Sequence, residues 1–117
     1  MDAKTFYTMI EGNYDLIQSR RWDIDRIKRF LKLFLNDESY TQLKAALDAG
    51  DTSAAFAAAH TLKGVCGNMA FAKLQETASM MTEALRSNQL EQGRDIMPLL
   101  TAEYEHTINA INQFLND

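Results

Sequence analysis

The chain has 117 residues, of which 46% are hydrophobic and 24% charged, the profile of one globular domain rather than of a disordered segment. Its net charge of -4, from 16 acidic and 12 basic residues, argues against nucleic acid as the main partner. No apolar run approaches the roughly 20 residues that cross a bilayer, the N-terminus lacks the basic-then-apolar order of a signal peptide, and the single cysteine, Cys66, fits a reducing cytoplasm.

Helical periodicity runs through the whole chain, which has only five glycines and one proline, and no window alternates as a strand does. The first helical segment, about Thr5 to Arg20, is interrupted near Gly12. A second helix is predicted from Ile24 to Leu35 with Asp23 as its N-cap, and a third is expected to stop at Gly50. The buried stripe of the second helix is predicted to consist of Ile24, Ile27, Leu31 and Phe34.

Three longer helices are predicted in the second half of the chain. The fourth begins at the capping side chains of residues 51–53 and runs to about Met69, and the fifth runs from about Phe71 to Ser87. The last, about Gln89 to Leu115, contains Pro98, so we expect a kink or break near Met97. Its buried residues are predicted to be Leu100, Tyr104, Ile108, Ile111 and Leu115. Short loops between consecutive helices predict an all-α fold, an antiparallel four-helix bundle with additional N-terminal helical segments, over a single domain of residues 1–117.

The fourth predicted helix has two unlike faces. At about 100° per residue, one face carries His60, Lys63, Gly64 and Gly67, and the other carries Ala55, Ala58, Leu62, Val65 and Met69. Because the apolar face can pack into a core, we expect His60 to point at water. Each interior glycine destabilises a helix by roughly 0.5–1 kcal/mol relative to alanine, so stability alone would not select glycines beside the histidine. The clearing that they leave would let another protein approach the imidazole.

The residues around His60 indicate a nucleophile rather than a hydrolytic or metal site. A lone histidine is more often structural. This one, however, has Phe56, Ala57, Gly64 and Gly67 as neighbours, where a solvated face would carry long polar side chains. A neutral imidazole can act as a nucleophile, and the ammonium of Lys63, one turn on, can lie near an anion on the ring. No carboxylate or second metal ligand lies within a turn of His60, and residues 64–67 lack the spacing of a phosphate-binding loop. The chain is therefore expected to need a partner that supplies a phosphoryl group and another that takes it.

These residues resemble a known family, the histidine-containing phosphotransfer (HPt) domain of multistep two-component phosphorelays. The resemblance is carried by His60 to Gly64, by Gly67 and Asn68, and by Leu74 at the end of the motif. Residues 45–51, 57–59 and 83–86 also resemble that family, and the likeness extends from about Phe6 to Leu115.

The resemblance implies a four-helix bundle whose exposed histidine accepts a phosphoryl group from a receiver-domain aspartate and passes it to another. It implies that His60 is phosphorylated, that Lys63 is the neighbouring cation and that Gly64 gives steric access. It also implies Mg²⁺ on the receiver and none on this chain. Two positions depart from the family pattern. Ala70 stands where the motif usually has a further glycine, and Thr82 stands where some members place Gln or Glu near the imidazole.

For the other candidate residues, the sequence gives weaker support for a functional role. Six basic residues form either a solvated face or a docking fringe for an acidic receiver surface: Arg20, Arg21, Arg26, Lys28, Arg29 and Lys32. His106 is expected on the solvated surface, and Cys66 is expected to be a packed, inert thiol. The methionines Met69, Met80, Met81 and Met97 are expected to fill the core.

The sequence thus predicts a cytoplasmic, monomeric phosphocarrier that relays a phosphoryl group through His60 between response-regulator receiver domains. It is expected to have no cofactor, metal, membrane or nucleic-acid partner of its own, and not to be an enzyme that turns over a free substrate. One alternative is the phosphoacceptor domain of a larger histidine kinase, of sensor or chemotaxis type, phosphorylated by an ATP-binding kinase domain. The other is a bundle that binds a receiver without carrying phosphate, which the intact His60, Lys63 and Gly64 count against.

Overall fold

The computed structural model describes all 117 residues and contains α-helices and no strands. The helices are α1 (Ala3–Met9), α2 (Tyr14–Ser19), α3 (Ile24–Leu35), α4 (Ser39–Ala49), α5 (Thr52–Asn68), α6 (Ala72–Arg86) and α7 (Leu90–Asn116). The predicted all-α bundle is confirmed, including the interruption near Gly12. No helix combines the length and the apolar character needed to cross a membrane.

Acidic and amide side chains start four of the helices by accepting a hydrogen bond from a backbone N–H of the first turn. They are Asp2, Asn13, Asp23 and Asp51. At the other end of α4, Gly50 has a φ of 72°, the left-handed conformation that commonly ends a helix. The predicted starts of α3 and α5 and the predicted end of α4 are therefore confirmed.

Helices α4 to α7 form the four-helix bundle. Each packs against the next one along the chain, and α4 also contacts α7, which closes the ring. The N-terminal helices lie outside this ring: α1 and α3 both pack against α7, and α2 packs against α1. Short loops impose this antiparallel arrangement, because a helix that turns back at once can only lie beside its predecessor.

Two of the predicted buried stripes need correction. Ile24 is 46% exposed, because it lies in the first turn of α3, at the end of the buried stripe. The other three predicted residues, Ile27, Leu31 and Phe34, are buried. In α7 the buried residues of the C-terminal half are Leu100, Thr107, Ala110, Ile111 and Phe114. Tyr104, Ile108 and Leu115 are only half-buried. The predicted residues form one narrow line along the helix. The buried face of α7 is set instead by four helices that pack against it from different sides, α1, α3, α4 and α6.

The sequence predicts a kink or a break near Met97. A break does not occur, since α7 is continuous from Leu90 to Asn116 with Pro98 inside it. Proline cannot donate to the carbonyl four residues earlier, here that of Arg94. Both residues lie on the exposed side of α7, where water hydrogen-bonds more readily to a backbone carbonyl than it does in the core.

The N-terminal segments are tied to the turn that follows α5 through two of its carbonyl groups. The buried Tyr7 hydroxyl donates to the Met69 carbonyl at 2.9 Å, and the Asn13 N–H donates to the Ala70 carbonyl at 2.8 Å. Burial raises the pKa of the Tyr7 phenol well above its usual range, which keeps it a donor. Ala70 itself has a φ of 59°, so it adopts the left-handed conformation that a glycine would favour. The turn after α5 therefore forms without the glycine.

We predict that Ala70→Val lowers the free energy of unfolding by about 2 kcal/mol, because a β-branched residue is strained at this φ and the site is buried. Ala70→Gly should change it by less than about 1 kcal/mol. Relief of about 1–2 kcal/mol of strain is offset by a lost buried methyl, worth about 0.8 kcal/mol, and by the larger entropy of the unfolded chain. Urea unfolding measures both variants, and a valine variant as stable as the native protein would contradict the account.

Candidate functional site

His60 lies on the exposed side of α5, as expected. The buried residues of this helix are Ala55, Ala58, Ala59, Leu62 and Cys66, which face the neighbouring helices. Because these residues fix the rotation of α5 about its axis, the imidazole is left at the surface. It forms no hydrogen bond and no ion pair within the chain, so both ring nitrogens are available to a partner.

The clearing beside the imidazole is at Gly64 and does not extend to Gly67. A Cβ built on Gly64 would have no neighbouring atom within 4 Å, so no other helix packs against this glycine. A Cβ on Gly67 would lie 2.8 Å from Nε2 of Gln75, whose side chain covers that position. The expectation of a gap at both glycines is therefore wrong for the second. The open space lies one turn after His60.

Lys63 lies on the same side of α5 as His60, one turn further along. It is half-buried and forms no ion pair with any carboxylate of the chain. Its aliphatic stem can lie along the helix surface while the ammonium stays in water. A cation without a partner can therefore reach an anion that is bound at, or attached to, the imidazole.

The position of Thr82 explains why no polar side chain orients the imidazole. Thr82 is fully buried, and its hydroxyl donates to the Ala78 carbonyl of its own helix at 2.7 Å. It therefore cannot serve as the hydrogen-bonding residue that some members have there. The ring next to His60 is that of Phe56, with the two centroids 6.0 Å apart, and the Arg86 guanidinium lies 5.0 Å from the Phe56 centroid.

A stack of cations and aromatic rings connects the end of α5 to α3. Arg20 donates to the Asn68 carbonyl at 2.8 Å, where a cation is favoured by the dipole of α5. Its guanidinium lies over Trp22, Trp22 stacks on Phe30 at 4.7 Å, and Arg29 lies over Phe30. We name these four residues the cation–aromatic stack. Sequence spacing could not have identified it, since the contact with Asn68 joins residues 48 positions apart.

Beside the stack lies a groove of about 220 Å³ between α3 and the second half of α5, here named the α3–α5 groove. Phe30 and Leu33 line it from α3, and Val65 and Asn68 line it from α5. Leu33 is 58% exposed. Helical spacing places Arg26 and Arg29 on the same face of α3 as Leu33, whereas Lys28 and Lys32 lie further round the helix. The predicted basic cluster is thus divided, and only part of it borders the groove.

The remaining candidates are structural in this fold. His106 is exposed as expected, but its Nε2 also lies 2.9 Å from the Met9 carbonyl and so connects α7 to the end of α1. Burial raises the pKa of the Cys66 thiol to about 12, which keeps it protonated and unreactive. Met80 is 48% exposed, so its assignment to the core is wrong. No group of three His, Cys, Asp or Glu residues is arranged to hold a metal ion.

Comparison with known proteins identifies one family. The model of the Hpt domain family matches residues 30–110, more than half of the chain. The matched range includes α4, α5 and α6 and therefore His60, Lys63 and Gly64. Comparison with curated proteins and with solved structures gave no significant match.

Proposed function

Since the chain belongs to the Hpt domain family, we propose that it accepts a phosphoryl group on His60 from a receiver-domain aspartate and passes it to the aspartate of another receiver. Hpt domains act in the histidine phosphotransfer of phosphorelays and carry the group rather than turn over a free substrate. The observation that supports this proposal most directly is the pairing of an exposed imidazole that has no partner in the chain with the empty space beside Gly64.

The chemistry needs one nucleophile from this chain. A lone pair of the neutral imidazole attacks phosphorus, the bond between phosphorus and the aspartate oxygen breaks, and the aspartate leaves as a carboxylate. Transfer to the second receiver reverses these bond changes. The Lys63 ammonium would attract the anion that the ring then carries. The Mg²⁺ that such transfer uses is expected on the receiver, where it would neutralise charge on the transferring group.

The α3–α5 groove is where we propose that a receiver domain docks. Asn68, which lines the groove, lies about 12 Å along α5 from His60, at 1.5 Å per residue. A domain of about 100 residues has a radius of gyration of about 13 Å, so one seated on the groove is large enough to reach round α5 to Gly64 and the imidazole. Phe30, Leu33 and Val65 offer apolar surface, and Asp37 is the one charged residue that lines the groove. Helical spacing places two cations, Arg26 and Arg29, on the same face of α3 as Leu33, so cations outnumber carboxylates on this side. Such a surface suits a partner with an apolar patch and an acidic rim, and a receiver's phosphorylation site is acidic.

We predict that His60→Gln folds as the native protein does and accepts no phosphoryl group, because the imidazole makes no contact that holds the fold together. The test incubates each variant with Mg²⁺ and receiver domains that have been phosphorylated by acetyl phosphate, and measures acid-labile, base-stable phosphate on this chain. His106→Gln is the matched control and should be labelled as the native protein is.

Labelling of His60→Gln would place the site elsewhere. Labelling of the native chain by an ATP-bound kinase domain, but by no phosphorylated receiver, would overturn the receiver-to-receiver relay in favour of a kinase's phosphoacceptor domain.

We predict that Gly64→Gln holds or raises the free energy of unfolding, by up to about 1 kcal/mol, because glutamine is the better helix former and the position is open. The same side chain should obstruct the receiver and slow transfer at least tenfold. Gly64→Ala is the control, since its methyl enters empty space and should leave transfer nearly unchanged. Thermal unfolding and transfer rates measure both effects. A destabilised glutamine variant with unimpaired transfer would contradict the role of this glycine.

We predict that Leu33→Asp weakens receiver binding about tenfold or more, because a carboxylate would be desolvated against the partner's apolar and acidic surface. Leu99→Asp is the matched control, since Leu99 is also half exposed but lies on α7, diagonally across the bundle from α5. Both variants should unfold within about 0.5 kcal/mol of the native protein. Titration calorimetry measures the Kd, and equal binding by the two variants would exclude the groove as the docking surface.

A further inference from the structure

The imidazole of His60 lacks the hydrogen bond that commonly fixes a functional histidine ring. Its nitrogens make no hydrogen bond to any side chain or carbonyl group of the chain, and Thr82 is turned into the core. A ring that samples several rotamers would present its attacking nitrogen to a docked receiver for only part of the time. Without a hydrogen bond, the orientation of the ring can still be restricted by van der Waals contact with a neighbouring side chain.

Phe56 is placed to restrict the imidazole on one side. It lies four residues before His60, one turn away on the same face of α5. Because helical side chains lean toward the N-terminus of their helix, the imidazole leans toward Phe56 and away from Gly64. The two ring centroids are 6.0 Å apart, with 31° between the ring planes. The aromatic ring therefore occupies space into which the imidazole would otherwise turn.

Phe56 is itself held from the neighbouring helix. The Arg86 guanidinium of α6 lies 5.0 Å from the Phe56 ring centroid, which is cation–π geometry. Nε of Arg86 also lies 3.3 Å from a carboxylate oxygen of Glu83 on the same helix, although both side chains are more than half exposed and such a pair contributes little. Leu85 lines the same groove as Phe56 and Arg86 and supplies its apolar wall. Phe56 is half-buried there, so its ring is less free to move than that of an exposed phenylalanine.

From this arrangement we propose that Phe56, held by Arg86, is the positioning residue for His60. The aromatic ring closes the N-terminal side of the imidazole, and the missing side chain at Gly64 leaves the C-terminal side open. The imidazole is thereby kept in a narrow range of χ1, with its free edge toward the space that a receiver's aspartyl phosphate would enter. This role rests on the proposed phosphotransfer at His60.

The first test measures the imidazole itself and needs no phosphoryl transfer. In the unphosphorylated protein, the three-bond Hα–Hβ couplings of His60 should report one dominant χ1 rotamer, and its ring protons should be shifted by the Phe56 ring current. Phe56→Ala should average the couplings and remove the shift, whereas Phe56→Tyr should keep both. Phe56→Leu keeps apolar volume without a flat ring and should give intermediate couplings. Native-like couplings in the alanine variant would overturn the proposal.

The second test separates positioning from docking. For Phe56→Ala, the transfer rate at saturating receiver should fall about fivefold or more, because misorientation costs rate and not binding. The Kd for the receiver should be unchanged, and Phe56→Tyr should restore the rate. Arg86→Met, which keeps an apolar stem without the cation, should show a smaller loss in the same direction. A change in Kd alone would make Phe56 part of the docking surface and overturn the positioning role.

The two proposals fail in different ways. If native protein is never labelled on His60, the proposed function fails whatever the couplings show. If His60 is labelled and Phe56→Ala transfers as fast as the native protein at saturation, only the positioning role fails.

Discussion

Burial of one face of α5 between α4 and α6 is the constraint on which the site depends. That face carries three alanines, Leu62 and Cys66, and their small average size lets the neighbouring helices approach closely. Turning α5 about its axis would bury the Lys63 ammonium and the imidazole, whose desolvation would be unfavourable without partners. His60 is exposed because the opposite face is buried, and no contact of its own is needed to keep it at the surface.

The C-terminal end of α5 is where the N-terminal part of the chain is attached. Three successive carbonyls, those of Asn68, Met69 and Ala70, accept hydrogen bonds from Arg20, Tyr7 and Asn13 in turn. The last carbonyls of a helix have no intrahelical donor, so these bonds satisfy groups that would otherwise need water. The Arg20 guanidinium also lies over Trp22, which stacks on Phe30 of α3, one of the residues that line the α3–α5 groove. The histidine helix and its candidate docking surface are therefore fixed to each other at one end.

The imidazole of His60 has different surroundings on its two sides along the axis of α5. Toward the N-terminus of α5 the aromatic ring of Phe56 is held by Arg86, and toward the C-terminus Gly64 leaves open space. The glycine lowers the helix propensity of α5 by about 1 kcal/mol relative to alanine. The rest of α5 can sustain that loss, because tertiary packing of its buried face stabilises it more than propensity does.

The sequence by itself determined the helices, most of their ends and the exposure of His60, because periodicity, capping residues and the glycine at the end of α4 are local signals. It also identified the family through the residues from His60 to Gly64. Tertiary structure alone decided which glycine opens the site, where Thr82 points, which cations border the α3–α5 groove and which face of α7 is buried. These depend on contacts across the boundaries of separate helices, such as Gln75 of α6 over Gly67 of α5, and on long-range contacts such as Arg20 on Asn68. A local pattern cannot encode such contacts, since they arise only when separate helices pack together.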